Sequence, residues 1–259
     1  CVRLCDVNAK LNTNVGCEFW GGDLDNGFVP GPNGYIDAAG AQYAIIVSNP
    51  DTKHAAKIEI HDGDGPVLYD AKGVKFPTGK LLPGTLRIYD MPRRDINGTI
   101  HAPLAYRITT SIPTLVYQFN PLSDEEVYSN DASLLLPSAA LDREYYVMSR
   151  EQTFDLLRAY VTVIAGVANT EVTVTVSART LAGDGIPALE AGETITRTLQ
   201  PFDAFNIETD GVGEDLTGSR VLATRRVAVF GGTEAGNAPD TGRCNVPAGV
   251  CEYDLETPC

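Results

Sequence analysis

The chain has 259 residues, 43% hydrophobic and 21% charged. These are ordinary globular proportions, which exclude disorder of the whole chain and allow one or two buried cores. The formal net charge of −14 repels DNA and RNA, and Arg93-Arg94 and Arg225-Arg226 are the densest basic spots. No apolar run approaches the roughly 18 residues of a membrane helix, and the opening residues carry no basic-then-apolar signal pattern.

Cys1, Cys5 and Cys17 open the chain and Cys244, Cys251 and Cys259 close it, with no thiol between. An even count in terminal clusters predicts disulfides made in an oxidising compartment, with the pairing left open. A bridge between the clusters would close a loop worth roughly 4–5 kcal/mol by the chain-entropy relation. Zinc is the competing reading. The spacings Cys1-x3-Cys5 and Cys244-x6-Cys251, with no histidine nearby, fit it poorly.

In chain order, Trp20 is expected as a buried anchor beside Cys17. Asp23-Leu-Asp25-Asn26-Gly27 places oxygen donors at Asp23, Asp25 and Asn26 ahead of a tight-turn glycine, as a calcium loop begins. It lacks the distal bidentate Glu, and an Asx turn is the simpler account. No cofactor is expected, calcium at this turn aside. Tyr43–Val47 is a strand-length apolar run, and Ile58 and Ile60 alternate with Lys57, Glu59 and His61. His61-Asp-Gly-Asp64-Gly reads as a hairpin turn, with a weaker calcium pattern beside it. Leu86 and Ile88 alternate with Arg87 and Tyr89, and Leu115, Tyr117 and Phe119 with Thr114 and Gln118. Asp131–Leu141 has helical apolar spacing broken by Pro137, and Ser149–Gln152 has the form of a capping box. These predict at most one or two short turns of helix. Val172, Val174 and Val176 then alternate with Thr173, Thr175 and Ser177, the period of a half-buried strand.

Short strands separated by turn clusters such as Asn49-Pro50-Asp51, Leu82-Pro83-Gly84 and Gly183-Asp184-Gly185 indicate sandwiches or barrels. A pattern repeat of about 110–117 residues runs through them. Gln42–Pro50 corresponds to Ala159–Val167, and Tyr106–Tyr117 to Arg220–Phe230. The expected fold is therefore all-β, with two tandem Ig-like antiparallel β-sandwich units and little helix. The first unit would span 41–122 and the second 144–235, joined by a connector at 123–143. Cysteine-bearing segments at 1–40 and 236–259 would flank them.

Gly16-Cys-Glu-Phe-Trp-Gly-Gly-Asp-Leu-Asp-Asn26, Tyr117-Gln-Phe-Asn-Pro-Leu122, Ser129-Asn-Asp-Ala-Ser-Leu-Leu-Leu-Pro137 and Tyr145-Tyr-Val-Met148 recur in order. Together they resemble the IgG-Fc-binding protein amino-terminal domain family, particularly its bacterial secreted or surface-anchored members, from about Gly16 onward. The resemblance implies an extracellular β-rich module, described in animal mucus proteins as binding the Fc part of IgG. It carries no binding residue over to a position in this sequence.

No catalytic constellation stands out. His54, His61 and His101 are the only histidines, no Gly-x-Ser-x-Gly elbow is present, and the three match no zinc spacing. Carboxylate pairs are numerous enough that some would suggest a glycosidase by chance. Gly231-Gly232 follows a strand without the spacing of a dinucleotide fingerprint, and Asn97-Gly98-Thr99 is a glycosylation sequon. The expected function is extracellular or cell-surface, non-enzymatic binding or adhesion, with a protein or glycoprotein partner such as IgG Fc or a mucin. A structural stalk or self-assembling subunit is the first alternative. A calcium-dependent glycan-binding or glycan-hydrolysing module is the second.

Overall fold

The computed structural model describes residues 4–11, 13–31, 34–125, 127 and 130–236. Cys1, Cys244, Cys251 and Cys259, and any bridge they make, lie outside the described residues. One short helix, α1 (Leu4–Asn8), precedes the strands. These begin with β1 (Gly16–Gly21) and a separate hairpin of β2 (Phe28–Gly31) and β3 (Gly34–Asp37). Next come β4 (Ala44–Ser48), β5 (Ile58–Asp62), β6 (Gly65–Pro66), β7 (Leu86–Asp90), β8 (Ile100–Ala102) and the long β9 (Tyr106–Phe119). Then follow β10 (Ala132–Leu135), β11 (Asp142–Tyr146), β12 (Ala159–Ala165), β13 (Thr170–Thr175), β14 (Thr194–Leu199), β15 (Ala204–Glu208) and β16 (Arg220–Thr233). The protein is nearly all β and its sheets are antiparallel, as the alternation predicts.

Two 14-residue strands organise the sheets. Along β9 every second side chain from Tyr106 to Gln118 is buried, because a strand turns alternate residues to opposite faces. Its first half pairs with β1 and β5, and its second half with β4 and β10. The partners change between Thr110 and Leu115. Pro113, which has no ladder N–H to give, falls inside that change. The β16 strand does the same, pairing first with β11 and β13 and then with β12. The exposed Thr224-Arg225-Arg226 segment lies at its change.

The pairing order recurs along the chain. β5 and β4 lie on β9 as β13 and β12 lie on β16. β6 and β7 flank the first pair as β14 and β15 flank the second. Phe19, Tyr43, Ile45, Ile60, Ile108, Val116 and Leu135 pack into one core, so both halves of β9 look onto the same interior. Val161, Val163, Val172, Val174, Phe205, Ile207 and Val221 form a second core. With antiparallel sheets around these cores, the fold is sandwich-like.

Neither helix candidate forms, in keeping with the little helix expected, and one strand crosses between the halves. Asp131–Leu141 is not helical, since Ala132–Leu135 pairs with Val116–Phe119 as β10. Cross-strand pairing overrides the local spacing there. Ser149–Gln152 likewise forms no helix. The β8 strand, from the first half of the chain, pairs with β15 and extends the sheet of the second half. A third cluster of Trp20, Ile96, Ala105, Ile164, Ala204 and Ala228 draws on both halves, so an apolar seam joins them.

Candidate functional site

A cleft of about 1090 Å³ lies where the two halves meet. Leu24–Gly27 and Asn120 line it from one side, and Leu157, Tyr160, Phe230 and Glu234 from the other. Its wall is built on a row across the second sheet. Tyr160 in β12 sits opposite Glu208 in β15 and opposite Gly232 in β16. The glycine is required here, because a Cβ at position 232 would lie 2.6 Å from the Tyr160 ring carbon and hydroxyl.

Asp25 enters this row from the segment after β1. It is 5% exposed, and its Oδ2 accepts a 2.8 Å hydrogen bond from the Gly98 N–H. Gly98 is held in turn, because its carbonyl accepts from Asn206 Nδ2 at 2.9 Å. Glu234 Oε1 accepts from the Arg158 N–H at 3.0 Å, and the Glu234 N–H donates to the Arg158 carbonyl at 2.8 Å. Asp25, Glu208 and Glu234 thus converge, each offering a carboxylate oxygen within 4.8 Å of the others. Arg158 approaches this cluster, its Nε lying 3.8 Å from Glu208 Oε2.

Burial dominates the electrostatics. It pushes Asp25 up to about 10, helped by its hydrogen bond to Glu208 and by the charges of Glu208 and Glu234. Burial and the neighbouring Glu208 raise Glu234 to about 7, against the opposing Arg158 N–H. The Tyr160 hydroxyl is driven up by burial and then by Asp25, Asp131, Glu234 and Glu208. Its phenol therefore stays neutral beside four acidic groups.

The residues read from sequence as a calcium loop diverge. Asp23 is 2% exposed, and its Oδ2 accepts from the Arg94 N–H at 3.4 Å. Burial and then Asp95 raise its carboxyl to about 8. Asn26 donates from Nδ2 to the Asn120 carbonyl at 3.2 Å and accepts from the Gly27 N–H at 2.8 Å. Of Asp23, Asp25 and Asn26, only Asp25 belongs to the carboxylate cluster. Its companions Glu208 and Glu234 carry no local sequence signal beyond an acidic residue ending a fully buried strand, for Glu208.

The other candidates fall into structural roles. Asp62 Oδ1 accepts from the Asp64 and Gly65 N–H groups, closing the β5–β6 hairpin, and Arg94 pairs with both Asp62 and Asp64. His54 pairs with Asp51 and His101 with Asp203, so these histidines serve separate sites. Gly231-Gly232 lies inside β16. Cys5 and Cys17 form a disulfide, which anchors α1 to β1.

Two residues that line the cleft each carry a buried polar atom with no hydrogen-bond partner among the described residues, Gln118 at Nε2 and Asn120 at Oδ1. The rest of each side chain is engaged. Gln118 Oε1 accepts from the Gly22 N–H and the Tyr43 hydroxyl, and Asn120 Nδ2 donates to the Leu24 carbonyl.

Fold and site together define an all-β protein with an acidic, buried-carboxylate cleft at its central seam. The family model described as IgGFc binding protein matches residues 131–248 of this chain. That stretch takes in β10 to β16, and with them Tyr160, Glu208 and Glu234. It includes Tyr145–Met148 and most of Ser129–Pro137, whereas Gly16–Asn26 and Tyr117–Leu122 lie before it. No match is found among curated proteins or among solved structures. Among the described residues no helix is long and apolar enough to cross a membrane.

Proposed function

We propose that the chain is an extracellular or surface-displayed recognition module that binds a protein or glycoprotein partner and performs no chemistry on it. The observation that carries this reading is the IgGFc binding protein family match, which spans every strand of the second sheet except β8. A binding family suggests a protein partner, and the Cys5–Cys17 disulfide suits an oxidising compartment. The test is equilibrium binding of the oxidised protein to immobilised IgG Fc and, separately, to intact mucin. Saturable binding to either supports the reading, and Fc binding lost on reduction would carry the family's named activity onto this chain. Turnover of a glycan substrate, abolished by one carboxylate substitution, would overturn it.

A second reading, assembly of like copies, draws on β7. This strand ends the first sheet, and it turns Leu86 (59% exposed) and Ile88 (47% exposed) outward. An open edge with apolar outward residues is a template for another strand. Light scattering over a concentration series tests it. A strictly monomeric protein at high concentration removes it.

A further inference from the structure

We propose that Asp25, Glu208 and Glu234 form a binding site for a hard divalent cation, with Asn120 Oδ1 as a further oxygen donor. The three carboxylates come from three distant parts of the chain, and their ligand oxygens lie within 4.8 Å of one another. Such spacing is what one ion contacting all three at about 2.0–2.6 Å produces. Asp25 and Glu208 are almost wholly buried, at 5% and 4% exposure. Once ionised, carboxylates so placed require a counter-charge, and Arg158 stands 3.8 Å from Glu208.

The site is also held in place. Asp25 has one oxygen on the Gly98 N–H and Glu234 has one on the Arg158 N–H. Glu234 therefore keeps an oxygen for a ligand while the other fixes its orientation, the usual task of outer contacts around a metal. The hydrogen bond between Asp25 and Glu208 is the contact an ion would replace.

The independent observation is Asn120. It is 9% exposed, and its Oδ1 is buried without a partner among the described residues. Its Nδ2 is fixed on the carbonyl of Leu24, immediately before Asp25. Asn120, Asp25 and Glu234 all line the same cleft. A buried amide oxygen without a donor calls for a cation or a donor ligand. Carboxylate and amide oxygens without nitrogen or sulfur select Ca²⁺, Mg²⁺ or Mn²⁺ over softer ions. Gln118 Nε2, the unpaired atom of the other such residue, is a donor and takes no part.

The experiment is isothermal titration of the full chain, stripped with a chelator, with CaCl₂, MgCl₂ and MnCl₂ in turn. Thermal unfolding is followed in parallel. The expected result is one ion per chain for at least one of the three, with a raised unfolding temperature. Asp25→Asn and Glu234→Gln should each weaken binding at least tenfold. Glu171→Gln, on the outward face of β13, should bind as the unaltered chain does and so control for general attraction to an acidic surface. If Asp25→Asn does not fold, Glu234→Gln at the partly open rim carries the comparison. The proposal is overturned if no divalent ion binds below millimolar concentration, or if both cleft variants titrate like the unaltered chain.

Discussion

Trp20 is the chain's single tryptophan, and it sits in the seam between the two sheets. It is 5% exposed, meets Phe202 edge-on at 5.1 Å between ring centroids, and lies beside Arg107 at 5.8 Å. Across the seam Gly166 approaches so closely that an added Cβ would lie 2.6 Å from two indole atoms. Truncating such a side chain costs about 3–5 kcal/mol in transfer and cavity terms. Overpacking the facing glycine costs about 1–3 kcal/mol. These contributions should not add. Trp20→Ala removes the atoms that an alanine at 166 would strike, and the new methyl occupies part of the space vacated. Urea unfolding of the two single variants and the double, followed by far-ultraviolet circular dichroism, gives the cycle. We expect the double variant to be no less stable than Trp20→Ala alone, a coupling of about 1–3 kcal/mol. In the unaltered chain, tryptophan fluorescence and circular dichroism should then report one transition if the seam opens only on global unfolding. Strictly additive costs, or a loss below about 1 kcal/mol for Trp20→Ala, would refute a packed seam.

Chelator-treated protein should lose stability as pH rises from 5 to 8. Glu234, Asp23 and Asp25 are raised to about 7, 8 and 10, so the fold holds more protons than the unfolded chain between pH 4 and those values. Their contribution is complete below the unfolded values and is lost as pH climbs through the folded ones. A flat or rising urea midpoint over that range would contradict the buried cluster. Gly232→Ala should lower the unfolding temperature by an amount equivalent to about 1–3 kcal/mol, because Tyr160 occupies the place of the added methyl. An unchanged calorimetric midpoint would place Tyr160 elsewhere. Reducing Cys5–Cys17, which are 12 residues apart, should remove at most about 3 kcal/mol. Amide exchange should quicken first in α1 and β1, and a loss of protection centred on β12 instead would contradict that assignment.

The strands could be read from sequence where one face is buried and the other wet. Val172, Val174 and Val176 against Thr173 and Thr175 is such a case, and the threonines pair outward with Thr196 and Thr194. The same rule fails where a strand is buried on both sides. β12 and β15 are buried at every residue, so period carries no information and Glu208 is indistinguishable from a solvated strand-end acid. It fails again where a strand is too short to show a period, as in Ile100–Ala102, whose place in the second sheet is set by partners over 100 residues away. The acidic cleft lies beyond local reading for a related reason. Asp23 and Asp25, two residues apart, look like ligands of one ion. In the fold the Asp23 carboxylate is drawn to Asp95 and Arg94, while Asp25 is taken by Gly98 and Glu208. What separates them is the tertiary partner each one meets. Alternate spacing proposes a ligand set, and only the pairing of β12 with β15 and β16 brings Glu208 and Glu234 to the one aspartate that remains.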